Sequence, residues 1–252
     1  MFRHVPNALT TLRLVLAAGF FAMLSWYQYE GRGDPTLLNV AFLVYVVALV
    51  TDFLDGHLAR KWQVEGPFGR VLDPFVDKVL VLGSFIFFAG KNFIIPDDAV
   101  EPARGMVVKT ITGVTPVMVI ILLARELLVT SLRGMAESAG QNFGAAFSGK
   151  LKMVAQSVTI LVILAYVNYR GWLLHAQWDT PARWARDVFI YATLLITIWS
   201  GLLYVRRGIA MYRSTMKTAE PSTTPPPQKP VTMTPTAATA ATGVGTLKGQ
   251  RA

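Results

Sequence analysis

The sequence predicts an all-α integral membrane protein in which six transmembrane helices form a bundle. Of its 252 residues, 53% are hydrophobic and the mean hydropathy is positive, which is typical of membrane proteins rather than soluble domains of this length. Runs of about 20 apolar residues, long enough to cross the hydrocarbon core of a bilayer as a helix, recur along the chain. These runs lie near residues 8–28, 36–54, 74–95, 107–130, 152–169 and 187–205.

The two ends of the chain differ in character. We interpret the first apolar run as a retained helix rather than a secretion signal, because it contains Arg13 and has no A-x-A cleavage site. Near residue 218 the composition changes to Thr, Pro and Ala, which cannot bury enough apolar surface to fold. We therefore expect a six-helix membrane domain over residues 1–217 and a disordered tail over residues 218–252.

The charge of the chain favours a membrane partner. The formal net charge is +9 and there is no cysteine, so disulfides and thiolate chemistry are excluded. In a membrane context the basic excess favours anionic lipid headgroups over nucleic acid. With six spans both termini share one side, and the loops on that side carry most of the lysines and arginines. The positive-inside rule then places both termini of this multi-pass chain in the cytoplasm.

Four aspartates at the ends of two apolar runs are the most informative feature of the sequence. Asp52 and Asp55 are spaced i, i+3, and Asp73 and Asp77 are spaced i, i+4, so each pair projects from one face of a helix. A carboxylate at the centre of a spanning helix costs about 2.5–3.5 kcal/mol. If the helices are neighbours, four carboxylates converge on one volume, and the natural occupant is Mg²⁺ or Mn²⁺, as one ion or two. We therefore expect a polar metal site at the cytoplasmic interface of the bundle.

Other interpretations of the same carboxylates stay open at this point. The two pairs could form a proton relay or a cation pathway, as in a small transporter, or they could form ion pairs with neighbouring cations. A transporter would be expected to show repeated or broken segments, whereas the acidic residues cluster once. A scaffold without chemistry would leave costly charges near the membrane unexplained. The cations available for ion pairing are Arg60, Lys61, Arg70 and Lys78.

The complete pattern resembles the signature of the CDP-alcohol phosphatidyltransferase family. The chain reads D-x-x-D-G-x-x-A-R, then eight residues, then G-x-x-x-D-x-x-x-D, without a departure. The resemblance implies a membrane enzyme that uses two divalent ions to move a phosphatidyl group from a CDP-lipid to an alcohol, with release of CMP. It implies metal binding by Asp52, Asp55, Asp73 and Asp77, with Asp77 also the general base. The nucleotide site would comprise Asn7, Thr10, Gly56, Ala59, Arg60 and Gly69.

Physical reasoning about the reaction agrees with this resemblance. Attack on a diphosphate needs charge neutralisation and in-line geometry, which two ions about 3.5–4 Å apart supply, together with a base for the hydroxyl proton. Gly56 and Ala59 lie three residues apart on the face that carries Asp52 and Asp55. Their small side chains let a flat group such as cytidine approach the backbone, although helix packing explains such residues equally well.

The acceptor alcohol is indicated by cations in the second half of the chain. Arg125, Arg133, Lys150 and Lys152 lie near or within membrane depth, so they should face the bundle interior and bind an anion such as a phosphate. Alternatively, Arg125 pairs with Glu126, and the two lysines follow the positive-inside rule. The run A-R-E-L-L-V-T-S-L-R-G-M-A-E-S-A-G, and the G-K-L-K that follows, resemble the bacterial branch of the family that uses sn-glycerol 3-phosphate.

The same branch is similar to the opening V-P-N-A-L-T-T-L-R of this chain. One departure is Met153, where the branch commonly has Thr. The resemblance implies CDP-diacylglycerol and glycerol 3-phosphate as substrates, with inositol phosphate or phosphatidylglycerol as alternative acceptors. A homodimer is a further expectation for the family. In this sequence the small residues Gly83, Ser84 and Ala89 would suit a helix-packing face, either between subunits or within one core.

Overall fold

The computed structural model of this chain describes the backbone of residues 5–29, 33–62, 67–95, 110–138 and 147–219. Near several helix ends only the backbone is described, so the side chains discussed below belong to residues 10–29, 33–52, 75–95, 110–138, 149 and 151–210. Within the described backbone there are six α-helices and one short 3₁₀ turn, Lys91–Phe93. The helices are α1 Val5–Trp26, α2 Pro35–Trp62, α3 Pro67–Phe88, α4 Pro116–Ser138, α5 Phe147–His175 and α6 Asp179–Ala219.

The all-α prediction is therefore confirmed, whereas the number of membrane spans stays a prediction. Three stretches in the described residues are both long and apolar enough to cross a membrane: Pro35–Asp52, Leu151–His175 and Asp179–Ala210. The apolar part of α1, Thr10–Trp26, is shorter. Helices α3 and α4 carry charged residues along their length, which lowers their hydropathy. The apolar helices agree with a membrane protein.

Local sequence explains where several helices begin. Helices α2, α3 and α4 each start with proline, which suits the first helical turn because the N–H that proline lacks would have no partner there. The Asp34 carboxylate accepts a hydrogen bond from the Thr36 N–H at 2.8 Å, as an N-terminal cap of α2. The α4 helix starts later than the apolar run from residue 107, because Ile111 and Thr112 form a turn and Gly113 has φ +73°.

The buried core of residues 1–211, which form one compact unit, lies mainly among α1, α2, α3 and α5. Phe20 of α1 and Tyr45 of α2 are both buried, and their ring centroids are 5.4 Å apart. Phe85 and Phe88 of α3 continue this core toward the 3₁₀ turn. In contrast, many apolar side chains point outward, including Val15, Leu43, Ile120 and Leu195. An outer surface of this kind suits contact with lipid.

The small residues of α3 pack inside the chain. Ser84 is fully buried, and its hydroxyl donates to the Leu80 carbonyl at 2.6 Å. A Cβ atom added at Gly83 would meet the Phe21 ring of α1 at 2.4 Å, so glycine is needed there for close approach of α1. These two residues therefore serve packing within the chain and give no support to a dimer interface.

Arginines hold together the chain segments near the C-terminal end of α5. Arg186 donates to the Ile111 carbonyl, and its guanidinium carbon lies 4.7 Å from the centroid of the Tyr166 ring. Arg170 donates to the Tyr29 hydroxyl and lies 3.5 Å from the Asp179 carboxylate. Charge pairing and aromatic contact thus join four chain segments at this end of the molecule.

Candidate active site

A cavity of about 600 Å³ opens among side chains of α3, α4, α5 and α6. Most of its polar lining is charged, and both signs are present. The titratable residues at its wall are Asp77 and Lys78 of α3, Arg125, Glu126, Arg133 and Glu137 of α4, and Lys152 of α5; Tyr204 completes the wall from α6. Charged side chains between apolar helices are costly, so a cavity lined by them is a candidate functional site.

Two of the predicted acceptor cations form a buried triad with Glu126. The same carboxylate oxygen, Oε1, accepts from Arg125 Nη1 at 2.7 Å and from Lys152 Nζ. All three side chains are less than a tenth exposed. The expected alternative, in which Arg125 pairs with Glu126, is therefore correct, but both residues also face the cavity. Desolvated charges of this kind are stable only as a complete set.

A second arginine, Arg133, lies about two turns further along α4 on the same wall. Arg133 Nη2 donates to the Tyr204 hydroxyl at 3.2 Å. Arg125 Nη2 donates to Ser200 Oγ at 2.7 Å, so α6 supplies hydrogen-bond acceptors to both arginines. The buried Nε atoms of Arg125 and Arg133 have no hydrogen-bond partner within the part of the chain that is described. These two buried donors add to the energetic cost of holding the guanidinium groups in this wall.

Asp77 is half-buried beside the triad. The charges of Asp52, Lys152, Arg13 and Glu126 all act on its carboxylate, so Asp52 of α2 and Asp77 of α3 belong to one electrostatic environment. Next to Asp77 in sequence, Lys78 Nζ donates to the Thr130 hydroxyl at 2.6 Å and lines the same cavity. The predicted catalytic carboxylate is therefore adjacent to the predicted acceptor cations.

Arg13 of α1 forms an ion pair with Asp52, with Nη1 2.6 Å from Oδ1. The arginine side chain is 2% exposed and the aspartate is 40% exposed. A fully buried guanidinium therefore contacts a carboxylate that is itself partly exposed. Arg13 was predicted only as a charge inside the first apolar run, because the sequence does not show which residue of the second helix it meets.

Comparison with known proteins identifies the family. Residues 3–199 match the sequence model of the CDP-alcohol phosphatidyltransferases. The chain belongs to this family. Curated relatives named CDP-diacylglycerol–glycerol-3-phosphate 3-phosphatidyltransferase include that of Haemophilus influenzae, which is 28% identical over 206 residues, or 81% of this chain and 92% of the relative.

Relatives with the same name occur in distant bacteria. The Bacillus subtilis protein is 28% identical over 211 residues, which is 81% of this chain and 95% of its own length. The Escherichia coli protein is 28% identical over 208 residues, or 80% and 93% of the two chains. The predicted family resemblance is thus confirmed over most of the chain, and a CDP-alcohol phosphatidyltransferase is a phosphotransferase enzyme.

The predicted site residues of this phosphatidyltransferase fall into two groups. The structure describes the side chains of Thr10, Asp52, Asp77, Arg125, Arg133 and Lys152. Thr10 is buried in α1. The cavity is lined by Asp77, Arg125, Arg133 and Lys152. The other predicted side chains lie outside the described residues: Asn7, Asp55, Gly56, Ala59, Arg60, Gly69, Asp73 and Lys150.

Two of the four predicted metal ligands, Asp52 and Asp77, are among the described side chains. Among the described side chains, no group of three or more His, Cys, Asp and Glu residues could hold a metal ion. Two of the four predicted ligands, Asp55 and Asp73, are outside that set, so the four-carboxylate arrangement stays a prediction. The donors that are described, Asp52 and Asp77, are carboxylates from two helices, and oxygen donors of this type fit Mg²⁺ or Mn²⁺.

Proposed function

We propose that the chain transfers the phosphatidyl group of CDP-diacylglycerol to sn-glycerol 3-phosphate, forming phosphatidylglycerophosphate and releasing CMP. The observation that carries the proposal is the placement of Arg125, Arg133 and Lys152 around a cavity that also contains Asp77. An alcohol that bears a phosphate needs cations for the phosphate and a base near its hydroxyl. The names of the bacterial relatives, which specify this acceptor, support the same choice.

The acceptor phosphate would bind the cationic part of the cavity. Arg125 and Arg133 offer guanidinium donors in a fixed fork, and Lys152 offers a compact ammonium charge. Lys150, two residues earlier on α5, is the fourth member of this proposed set. Glu126 neutralises part of the charge of Arg125 and Lys152. The two cations would therefore not repel each other strongly before the acceptor binds. The phosphate would then add a second anion to the same cations.

Asp77 would act as the general base. In the proposed reaction its carboxylate accepts the proton of the primary hydroxyl of glycerol 3-phosphate. The hydroxyl oxygen forms a bond to the phosphorus that carries diacylglycerol, and the bond from that phosphorus to the oxygen of CMP breaks. The half-buried position of Asp77, next to Lys152 and Arg13, would keep the carboxylate in place and restrict water around it.

Asp52, Asp55, Asp73 and Asp77 would hold two divalent ions, Mg²⁺ or Mn²⁺. When bound, such ions neutralise charge on the diphosphate of the donor. The ion pair between Arg13 and Asp52 would orient one of these carboxylates. The cytidine and its phosphate would contact Asn7, Thr10, Gly56, Ala59, Arg60 and Gly69, of which Thr10 is already buried beside the core.

The membrane arrangement extends the proposal. We infer that all six helices cross or enter the bilayer of the inner membrane, with both termini and the active site on the cytoplasmic side, where glycerol 3-phosphate is soluble. The buried charges of α4, Arg125 and Glu126, and the half-buried Asp77 of α3 support this arrangement, because they would face the bundle interior rather than lipid. Residues 218–252 are proposed as a disordered tail outside the catalytic domain, and homodimer formation is a separate proposal.

The direct test is an acceptor screen with purified protein, CDP-diacylglycerol and Mg²⁺. CMP release should depend on glycerol 3-phosphate, and the lipid product should carry its phosphate. Reactions without acceptor, and with inositol phosphate or phosphatidylglycerol, serve as controls. Turnover with either alternative acceptor, and none with glycerol 3-phosphate, would contradict the proposed acceptor while leaving the family reaction intact.

A further inference from the structure

Tyr204 of α6 lies between two arginines of the proposed acceptor pocket. The guanidinium carbons of Arg125 and Arg133 are 5.6 and 5.7 Å from the centroid of its ring. Along α4 these residues are eight positions apart, which corresponds to about 12 Å of helix rise. A single ring therefore contacts two guanidinium groups that the α4 backbone holds well apart.

The position of Tyr204 is tightly fixed. It is 1% exposed, and its hydroxyl accepts a hydrogen bond from Arg133. On α5, a Cβ atom added at Gly149 would lie 3.2 Å from this hydroxyl oxygen, so glycine leaves just enough room for the phenol. One turn before Tyr204 on α6, Ser200 accepts from Arg125. These contacts restrict both arginines to one arrangement.

Two guanidinium groups on one wall repel each other, and an aromatic ring reduces that cost. The negative face of a phenol attracts a cation, and the attraction is stronger where water is excluded. Packing against the ring also limits the rotamers of the long arginine side chains, so less conformational entropy is lost when a ligand binds.

We propose that Tyr204 is a positioning residue for the acceptor: its ring holds Arg125 and Arg133 so that their guanidinium groups receive one phosphate together. This inference rests on the proposed function only for the identity of the phosphate-bearing acceptor. The last helix thereby contributes to acceptor binding through the arginines of α4, although the motifs that define the family lie in other helices. Donor binding and proton transfer are assigned to other residues and should not need this ring.

The test compares Tyr204→Leu and Tyr204→Phe in the full-length protein. With leucine, the KM for glycerol 3-phosphate should rise about tenfold or more, because contact with both guanidinium groups is lost. The KM for CDP-diacylglycerol should stay within about twofold of wild type, and kcat should fall less than the acceptor KM rises. Phenylalanine keeps the ring and loses one hydrogen bond, so it should restore most of the acceptor affinity, to within about fivefold.

Tyr166→Leu is the matched control. Tyr166 is also buried and also lies under a guanidinium, that of Arg186, but it is near the other end of α5. This substitution should lower stability without raising the KM for glycerol 3-phosphate. An unchanged acceptor KM in Tyr204→Leu, or equal increases for donor and acceptor, would overturn the inference.

A binding measurement separates this inference from the proposed reaction. Inorganic phosphate should raise the thermal unfolding temperature of the wild-type protein, and Tyr204→Leu should need about tenfold more phosphate for the same rise. If leucine prevents folding, the comparison is made with Tyr204→Met, which fills more of the volume but has no ring and should also need about tenfold more phosphate. Equal phosphate dependence in the variants and wild type would refute the role of Tyr204, even if the acceptor of the reaction were a different alcohol.

Discussion

Replacing Glu126 by glutamine tests whether the buried triad is maintained by charge. Glutamine keeps the side-chain shape and retains an oxygen that can accept from Arg125 and Lys152, but it removes the negative charge. Both cations then lose the carboxylate that contacts them directly, although each is less than a tenth exposed. Removing one partner of a buried ion pair costs about 3–5 kcal/mol. Because the hydrogen bonds can persist, we expect the lower end, a loss of about 3 kcal/mol in the free energy of unfolding.

The assay is denaturant unfolding of the purified protein in detergent micelles, with and without inorganic phosphate. A phosphate in the pocket replaces the missing anion, so it should stabilise Glu126→Gln more than wild type. Glu137→Gln is the matched control, because Glu137 lies on the same helix and cavity wall but is exposed. It should change stability by about 0.5 kcal/mol or less. Equal stability of Glu126→Gln and wild type would refute the reasoning, as would a smaller effect of phosphate on the variant.

Two further predictions concern the acceptor and the metal. Arg133→Met should raise the KM for glycerol 3-phosphate about tenfold or more in the CMP-release assay. Arg133→Lys should recover only part of the lost affinity, because an ammonium cannot give a forked contact. Full recovery by lysine would argue against such a contact. Chelation by EDTA should abolish CMP release, and added Mg²⁺ or Mn²⁺ should restore it. The Asp52→Asn variant should need at least about tenfold more metal for half-maximal activity. Activity that persists in the chelator would exclude the metal site.

The sequence was sufficient to predict the helical class and the family. Apolar runs are long and continuous, so the presence of helices follows directly from length and hydropathy. Their boundaries depend on local turn chemistry: α4 begins at Pro116 rather than near residue 107 because Gly113 adopts a positive φ. Helices α5 and α6 extend beyond the predicted runs, to His175 and Ala219, because a helix continues through polar residues once its apolar part is packed.

The partners within the site could not be predicted from spacing. Lys152 and Glu126 are 26 residues apart, and Arg133 and Tyr204 are 71 apart. Such contacts depend on the rotation of each helix about its own axis in the bundle, which a hydropathy pattern does not determine. The four acceptor cations were selected by charge and membrane depth, and three of them are described at or in the cavity. Tyr204 gave no signal, because a tyrosine near the end of an apolar run is ordinary at a membrane interface.

The proposed reaction is tested most directly by following both products at once in wild type and Asp77→Asn. With glycerol 3-phosphate labelled in its carbon skeleton, wild-type protein should release one CMP for each labelled molecule that enters the lipid. Asp77→Asn should lower both rates together by about 10²–10⁴-fold, the usual contribution of a general base, while still binding CDP-diacylglycerol. CMP release without incorporation of the label, or full activity of Asp77→Asn, would contradict the account.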